Sequence, residues 1–325
     1  MPSFPWAGKG GASAGPSKTT NGGTLQPGDT VAVVGASGNV GKLVALRLSD
    51  TYKVNGIVRD ANSVKSFFEG REERISLFET DLLEEVTSSK PETLSCPDSL
   101  YPALRDANAI VICTGTTAFP TKAWSRSGEF SVTSEVISAL VDSKFDVSEA
   151  LNQLDTKGLN TPNNVDNLSN KLLLDAWKQA SKVSRKRAIM LSSIGVTRRE
   201  SMPFPILNAC GVLDAKAAGE QALMESAAED GFSYTILRPG QLFGGPYDNN
   251  YYLGTLFQLD KDTQTQDVDV GKGDILLGDT LRSTLAEVTA QLMEGDCARD
   301  LDFAVVNVKG DAPTAEAVKE KLVAL

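Results

Sequence analysis

The chain has 325 residues, of which 41% are hydrophobic, a formal net charge of -10 and no histidine. So acidic a chain repels a phosphate backbone, which argues against nucleic-acid binding by bulk charge. The lack of histidine excludes Ser-His-Asp and Cys-His catalysis and any histidine-ligated metal, and the scattered Cys96, Cys113, Cys210 and Cys297 suggest neither a disulfide framework nor a metal site.

Residues 1–29 are rich in Gly, Ser, Thr and Pro and lack an apolar h-region. They are expected to be a disordered tail and not a secretory signal. No apolar run reaches the roughly 18 to 20 residues of a membrane span. The β-branched run TVAVVG at 30–35 predicts a buried strand, and Val40, Leu43 and Val44 begin an amphipathic helix. Strands are then expected in YKVNGIVRD, RISLFETDL and NAIVICTG, with a short helix in SVKSFFEG. The segment 125–159 breaks this rhythm. It is far longer than an ordinary connection and is read as an inserted lid or surface helix pair. A helix over VDNLSNKLLLDAWKQA, a strand in RAIMLSSIG, an Ala-rich helix ending at Gly231, a strand in FSYTILRPG, a helix, the strand LDFAVVNV and a last helix complete the chain.

Strands that are apolar on both faces and alternate with helices mean a parallel sheet covered on both sides. The expected fold is α/β: a doubly wound parallel sheet of the Rossmann type over residues 30–325, with a small C-terminal substrate-side region.

The loop VGASGNVGKL does not fit a triphosphate-binding loop. That motif requires GxxxxGK followed by Ser or Thr, but Gly41-Lys42 is followed by Leu43, and Ala36 stands five residues before Gly41. A dinucleotide fits better. Gly35, Gly38 and Gly41 give GxxGxxG between the first strand and the first helix. In this pattern the first glycine makes the turn, the second lets pyrophosphate approach backbone amides, and the third packs helix on sheet. Ser37, Asn39 and Val40 fill the loop. Arg59, at the end of the second strand, favours the 2′-phosphate of NADP(H) over the free ribose of NAD, with Ser37 as a further contact.

The glycine loop, Arg59, the TDL at 80–82 and the LSSIGV at 191–196 together resemble the short-chain dehydrogenase/reductase superfamily, in its extended and atypical branches, including NmrA-like proteins. The strings CTGTTAFPTKAW, NTPNNVD, PFPILN, GVLDAKAAGE, YTILRPG, GGPY and GKGDILLGD resemble a group from plant and algal plastids and cyanobacteria. The resemblance covers about residues 30–310 and leaves out the tail and the 125–159 insertion. It implies that Asp81 and Leu82 lie by the adenine, that Thr114 and Gly115 end strand four beside the cofactor, and that Pro239 and Gly240 stand near the nicotinamide. It also implies a plastid location, against a cytoplasmic alternative. Typical members use a Ser-Tyr-Lys set, in which Ser193 and Lys216 match the serine and lysine. The tyrosine position, four residues before Lys216, holds Val212. The proton relay is therefore incomplete, and Tyr247 or water is left as an alternative acid. Two readings stay open: an NADP(H)-dependent oxidoreductase acting on a small carbonyl or enone, and a non-catalytic redox sensor or assembly scaffold with a partner protein. No metal is expected.

Overall fold

The computed structural model describes residues 21–88, 96–127, 131–244 and 265–325. The chain opens with β1 (Thr30–Val34), α1 (Gly41–Leu48), β2 (Lys53–Val58), the one-turn α2 (Asn62–Lys65), β3 (Ile75–Glu79), α3 (Leu82–Ser88), the short α4 (Tyr101–Leu104) and β4 (Ala109–Ile112). A helical hairpin follows, α5 (Thr133–Asp142) and α6 (Val147–Thr156). A π-helical turn at Asn163–Leu168 then runs into α7 (Ser169–Ala180). β5 (Arg187–Leu191), the one-turn α8 (Phe204–Leu207), α9 (Val212–Asp230), β6 (Ser233–Pro239) and β7 (Gln241–Phe243) come next. The chain closes with β8 (Asp267–Lys272), β9 (Asp279–Leu281), α10 (Arg282–Gly295), β10 (Leu301–Val308) and α11 (Ala315–Val323).

The main sheet has the order β3-β2-β1-β4-β5-β6-β10-β8, and β8 alone runs antiparallel to its neighbour. β7 and β9 pair as a separate two-stranded ribbon. The expected doubly wound sheet is thus observed, with three short strands that the periodicity did not show. Alternate residues of each strand feed the two faces. Val31 and Val33 of β1 join Val44 of α1 and Leu285 of α10, whereas Ala32 and Val34 join the cluster of Trp177 on α7 and Leu223 on α9. Because strand order reverses between β1 and β4, the carboxyl ends of these strands open a crevice, which is where such sheets bind ligands.

Residues 21–29, grouped with the tail on composition, are held to the domain at its opposite end. Gly22 donates its amide to the Arg185 carbonyl at 2.8 Å, Asn21 donates to the Asp230 carbonyl at 2.8 Å, and Leu25 is buried in the main core. Among the described residues no helix is long and apolar enough to cross a membrane, and no cluster of candidate metal ligands forms. All four cysteines are free.

Candidate functional site

The glycine loop starts where β1 ends. Gly35 has φ +77°, the left-handed region that favours glycine, and a Cβ on it would meet the Thr114 methyl and the Cys113 backbone at 3.2 and 3.3 Å. The turn is thereby drawn against the end of β4. Gly41 begins α1, where a Cβ would lie 2.1 Å from the Gly35 carbonyl oxygen, a distance no side chain can meet. The helix start is therefore folded directly back on the turn, and the first amides of α1 lack intrahelical acceptors. Asn39 and Val40 sit in that turn, and the Val40 carbonyl accepts the Val44 amide at 2.9 Å.

A cavity of about 290 Å³ lies over the crevice, bounded by the ends of β1, β2, β3 and β4. Gly35, Ser37, Gly38, Arg59, Asp81, Leu82, Thr114 and Gly115, eight of the residues singled out from the sequence, all line it. A backbone cradle without side chains, next to a helix start and one guanidinium, has the shape and charge for a dinucleotide pyrophosphate and its ribose.

One more side chain, Arg126, meets these residues and did not stand out in the sequence. Arg59 donates from Nη1 to the carbonyl of Arg126 at 2.8 Å, and Arg126 donates from Nη2 to Oδ2 of Asp81 at 2.5 Å. Asp81 also accepts the Leu83 amide on Oδ1 at 3.0 Å, capping the start of α3. The sequence signal for Arg126 was weak, because it opens a patternless insertion.

Next to Gly115 and Thr116 of the cavity lining, Lys216 of α9 is held 2.8 Å from Oδ1 of Asp166, in the π-helical turn, and the Asp166 side chain is only 3% exposed. Lys216 does not pair with Glu220, one turn on along α9, as helix spacing alone would suggest. Glu220 instead takes a bidentate hydrogen-bonded pair from Arg238 at 3.0 and 2.6 Å. Burial pushes the Asp166 carboxyl up from its ordinary value, and Lys216 opposes that rise. Tight packing sets the geometry: a Cβ on Gly219, one turn along α9, would lie 2.3 Å from the Asp166 carbonyl oxygen. Gly115 lies in ordinary contact distance of both partners of the pair.

Ser193, the serine matched by the resemblance, and the adjacent Ser192 fall on opposite faces beyond β5. Ser192 donates its amide to Leu237 O and Ile194 donates to Pro239 O, so the β5–β6 ladder continues past Leu191. Alternation then puts Ser192 on the face of Met190, α7 and α9, and Ser193 on the other. The Ser192 hydroxyl is buried without a hydrogen-bond partner, whereas Ser193 donates to the Ile194 carbonyl at 3.0 Å. Val212 is buried at the start of α9. Pro239 and Gly240 end β6 outside the cavity lining. Gly240 donates its amide to the Thr280 hydroxyl and packs so closely on Gly278 that a Cβ would lie 1.7 Å from its carbonyl oxygen. Tyr247 lies outside the described residues.

In comparisons with known proteins, no curated protein matches the chain significantly in sequence. Among solved structures, an oxidoreductase from Lactococcus lactis is 18% identical, with a TM-score of 0.53, over 91% of this chain and 96% of that one. A Bacillus halodurans protein provisionally called an NAD-dependent epimerase/dehydratase is also 18% identical, with a TM-score of 0.50, over 90% of this chain and all of that one. A Veillonella parvula short-chain dehydrogenase/reductase, solved with NADP, is 12% identical with a TM-score of 0.48, over 88% and 99%. Residues 35–275 match the profile of a family described as NAD(P)H-binding, a span that runs from the glycine turn through the crevice and α9 to β8. With most of its length inside that match, the chain belongs to the NAD(P)H-binding family.

Proposed function

We propose that the protein is an NADP(H)-dependent reductase of a small carbonyl or enone compound. The observation that carries this reading is Arg59, at the end of β2 and in the lining of the cavity that the glycine loop closes. A guanidinium there suits a 2′-phosphate, while an acidic residue would suit a free ribose. When bound, the nicotinamide supplies hydride. The chain's own candidate groups are the buried Asp166–Lys216 pair and the Ser192 hydroxyl, unpartnered among the described residues, which can hold a substrate oxygen. Hydride addition to an enone leaves a carbon to be protonated, and water can serve there, so Val212 in the tyrosine's place is compatible with turnover.

A second reading has one observation in its favour. Lys216 is held by a carboxylate and has Val212 in place of a tyrosine four residues before it, as expected of a chain that binds NADPH without consuming it. One pair of measurements separates the two: NADPH and NADH titrations, and NADPH oxidation against a panel of carbonyls and enones. A reductase binds NADPH more tightly and oxidises it with some member of the panel. Tight binding with no oxidation across the panel sinks the reductase in favour of the sensor. Equal affinity for the two dinucleotides, or an Arg59→Ala variant that keeps the wild-type preference, removes the assignment to NADP(H). Arg59→Ala should lose about tenfold or more of that preference, since a hydrogen bond to a charged group is worth roughly 1.5 to 3 kcal/mol.

A further inference from the structure

The segment after β4 crosses the cavity at the ends of β2 and β3. Arg126 makes the bridge: its carbonyl accepts from Arg59, and its guanidinium reaches Asp81. The base of this strap is fixed. Trp124 is fully buried and donates Nε1 to the Thr117 carbonyl at 3.1 Å. Asn160 donates its side-chain amide to the carbonyls of Ala123 and Ser125 at 3.0 and 2.7 Å, tying the two ends of the insertion together. Asn160 and Ala123 both line the cavity, so the strap is part of its wall.

We infer that Arg126 is an adenine clamp: its guanidinium plane covers the purine ring of the bound dinucleotide, and Asp81 holds that plane in place. This rests on the dinucleotide reading above and adds a residue from the inserted segment to it. In a crevice of this topology the adenosine half lies toward β2 and β3, the strands that Arg126 bridges. Electrostatics decide between a purine and a phosphate under the guanidinium. Asp81 bonds it at 2.5 Å and Glu84 stands 3.8 Å away, so its charge is already matched and a phosphate would face two carboxylates. Arg59 has no carboxylate among the ion pairs of the described residues and suits the phosphate. A neutral aromatic ring, in contrast, gains from the flat face of a guanidinium whose edge is anchored elsewhere. Asp81 thus acts on the adenine through Arg126, a positioning role that differs from direct recognition of the base.

The test is titration of NADPH and NADH, followed by nicotinamide fluorescence, for the wild type, Arg126→Ala, Arg126→Lys and Arg59→Ala. Arg126→Ala should weaken both dinucleotides by the same factor, about three- to tenfold, since adenine is common to them. Arg59→Ala should weaken NADPH alone. Arg126→Lys keeps a charge for Asp81 but has no plane, so it should show the loss of the alanine variant with the wild-type melting temperature. Unchanged affinities in Arg126→Ala, a loss confined to NADPH, or full wild-type affinity in Arg126→Lys each overturn the clamp. If Arg59→Ala leaves NADPH unaffected while Arg126→Ala weakens both dinucleotides, the clamp stands and the assignment of the 2′-phosphate to Arg59 falls.

Discussion

Among single residues, the Asp166–Lys216 pair makes the sharpest demand on the surrounding chemistry. A carboxylate this deeply buried is costly unless a cation compensates it. Its raised pKa gives the sign of the pH dependence. A group whose folded-state value lies above its unfolded one contributes stability below the unfolded value, near 3.9 for Asp, and loses it as pH rises through the folded value. Ionised Asp166 is therefore a cost at neutral pH, and Lys216 offsets it. Lys216→Ala removes the offset and raises the Asp166 value further. The variant should lose roughly 3 to 5 kcal/mol at pH 8, where the buried charge stands alone, and distinctly less near pH 5, where the carboxyl can take up a proton. Adding Asp166→Asn to Lys216→Ala should restore much of the stability at pH 8. Urea midpoints at the two pH values provide the check; a deficit that is the same at both would mean that Asp166 is not the group left stranded. Asp166 was not visible as a functional residue in the sequence because its partner is 50 residues away, on a helix whose own spacing suggested Glu220 as the neighbour.

For the elements, the α5–α6 hairpin shows where sequence patterning reaches and where it stops. The length of the insertion and the run EVISALVDS marked a helix pair, and two ten-residue helices stand there. The pair is not a bare surface element: Val132, Ala139, Ala150 and Leu154 form a buried cluster with Trp124, and Cys210 packs against it. These contacts join residues on separate helices, which no single-helix periodicity exposes. β7 and β9 went unread because three residues are too few to show a period, and β8 because an edge strand written DVDVGK carries acids where a central strand carries β-branched residues. By contrast, the long apolar strands and the glycine loop were legible, because their signal is local. Since the hairpin's cluster is largely its own, replacing residues 131–158 by a short linker should leave one cooperative unfolding transition. The main loss should come from uncovering Trp124, on the order of 2 to 3 kcal/mol. Dinucleotide affinity should stay within a few-fold, because Arg126 and Asn160 remain. Native circular dichroism together with abolished dinucleotide binding would show that the hairpin itself forms part of the site.

At the scale of the whole molecule, the crevice divides the sheet into two sets of strands. β1, β2 and β3 stand on one side and β4, β5, β6, β10 and β8 on the other, and among the described residues the β1–β4 pairing is the strand contact that joins them. Gly35 against Cys113 and Thr114, and Arg126 against Arg59 and Asp81, link the two sets at the cavity, and α1 packed on α10, with Arg47 bonded to Glu287 and Glu294, links them away from it. A dinucleotide seated there would touch the ends of both sets at once and bind only when they are assembled. Linkage then fixes the size of the effect. A ligand that binds the folded state alone stabilises it by about 2.7 kcal/mol at one hundred times its dissociation constant. For a chain of this length that amounts to a rise of a few degrees in melting temperature. The rise should track the logarithm of NADPH concentration and preserve a single transition. It should shrink in Arg59→Ala by the amount expected from that variant's weaker affinity. If saturating NADPH splits the transition in two, the ligand holds only the β1–β3 set, and the cavity does not act as the seam between the halves. If it leaves the melting temperature unmoved while spectroscopic titration shows tight binding, the ligand binds the unfolded chain as well, and the idea that it binds only when the two sets of strands are assembled fails.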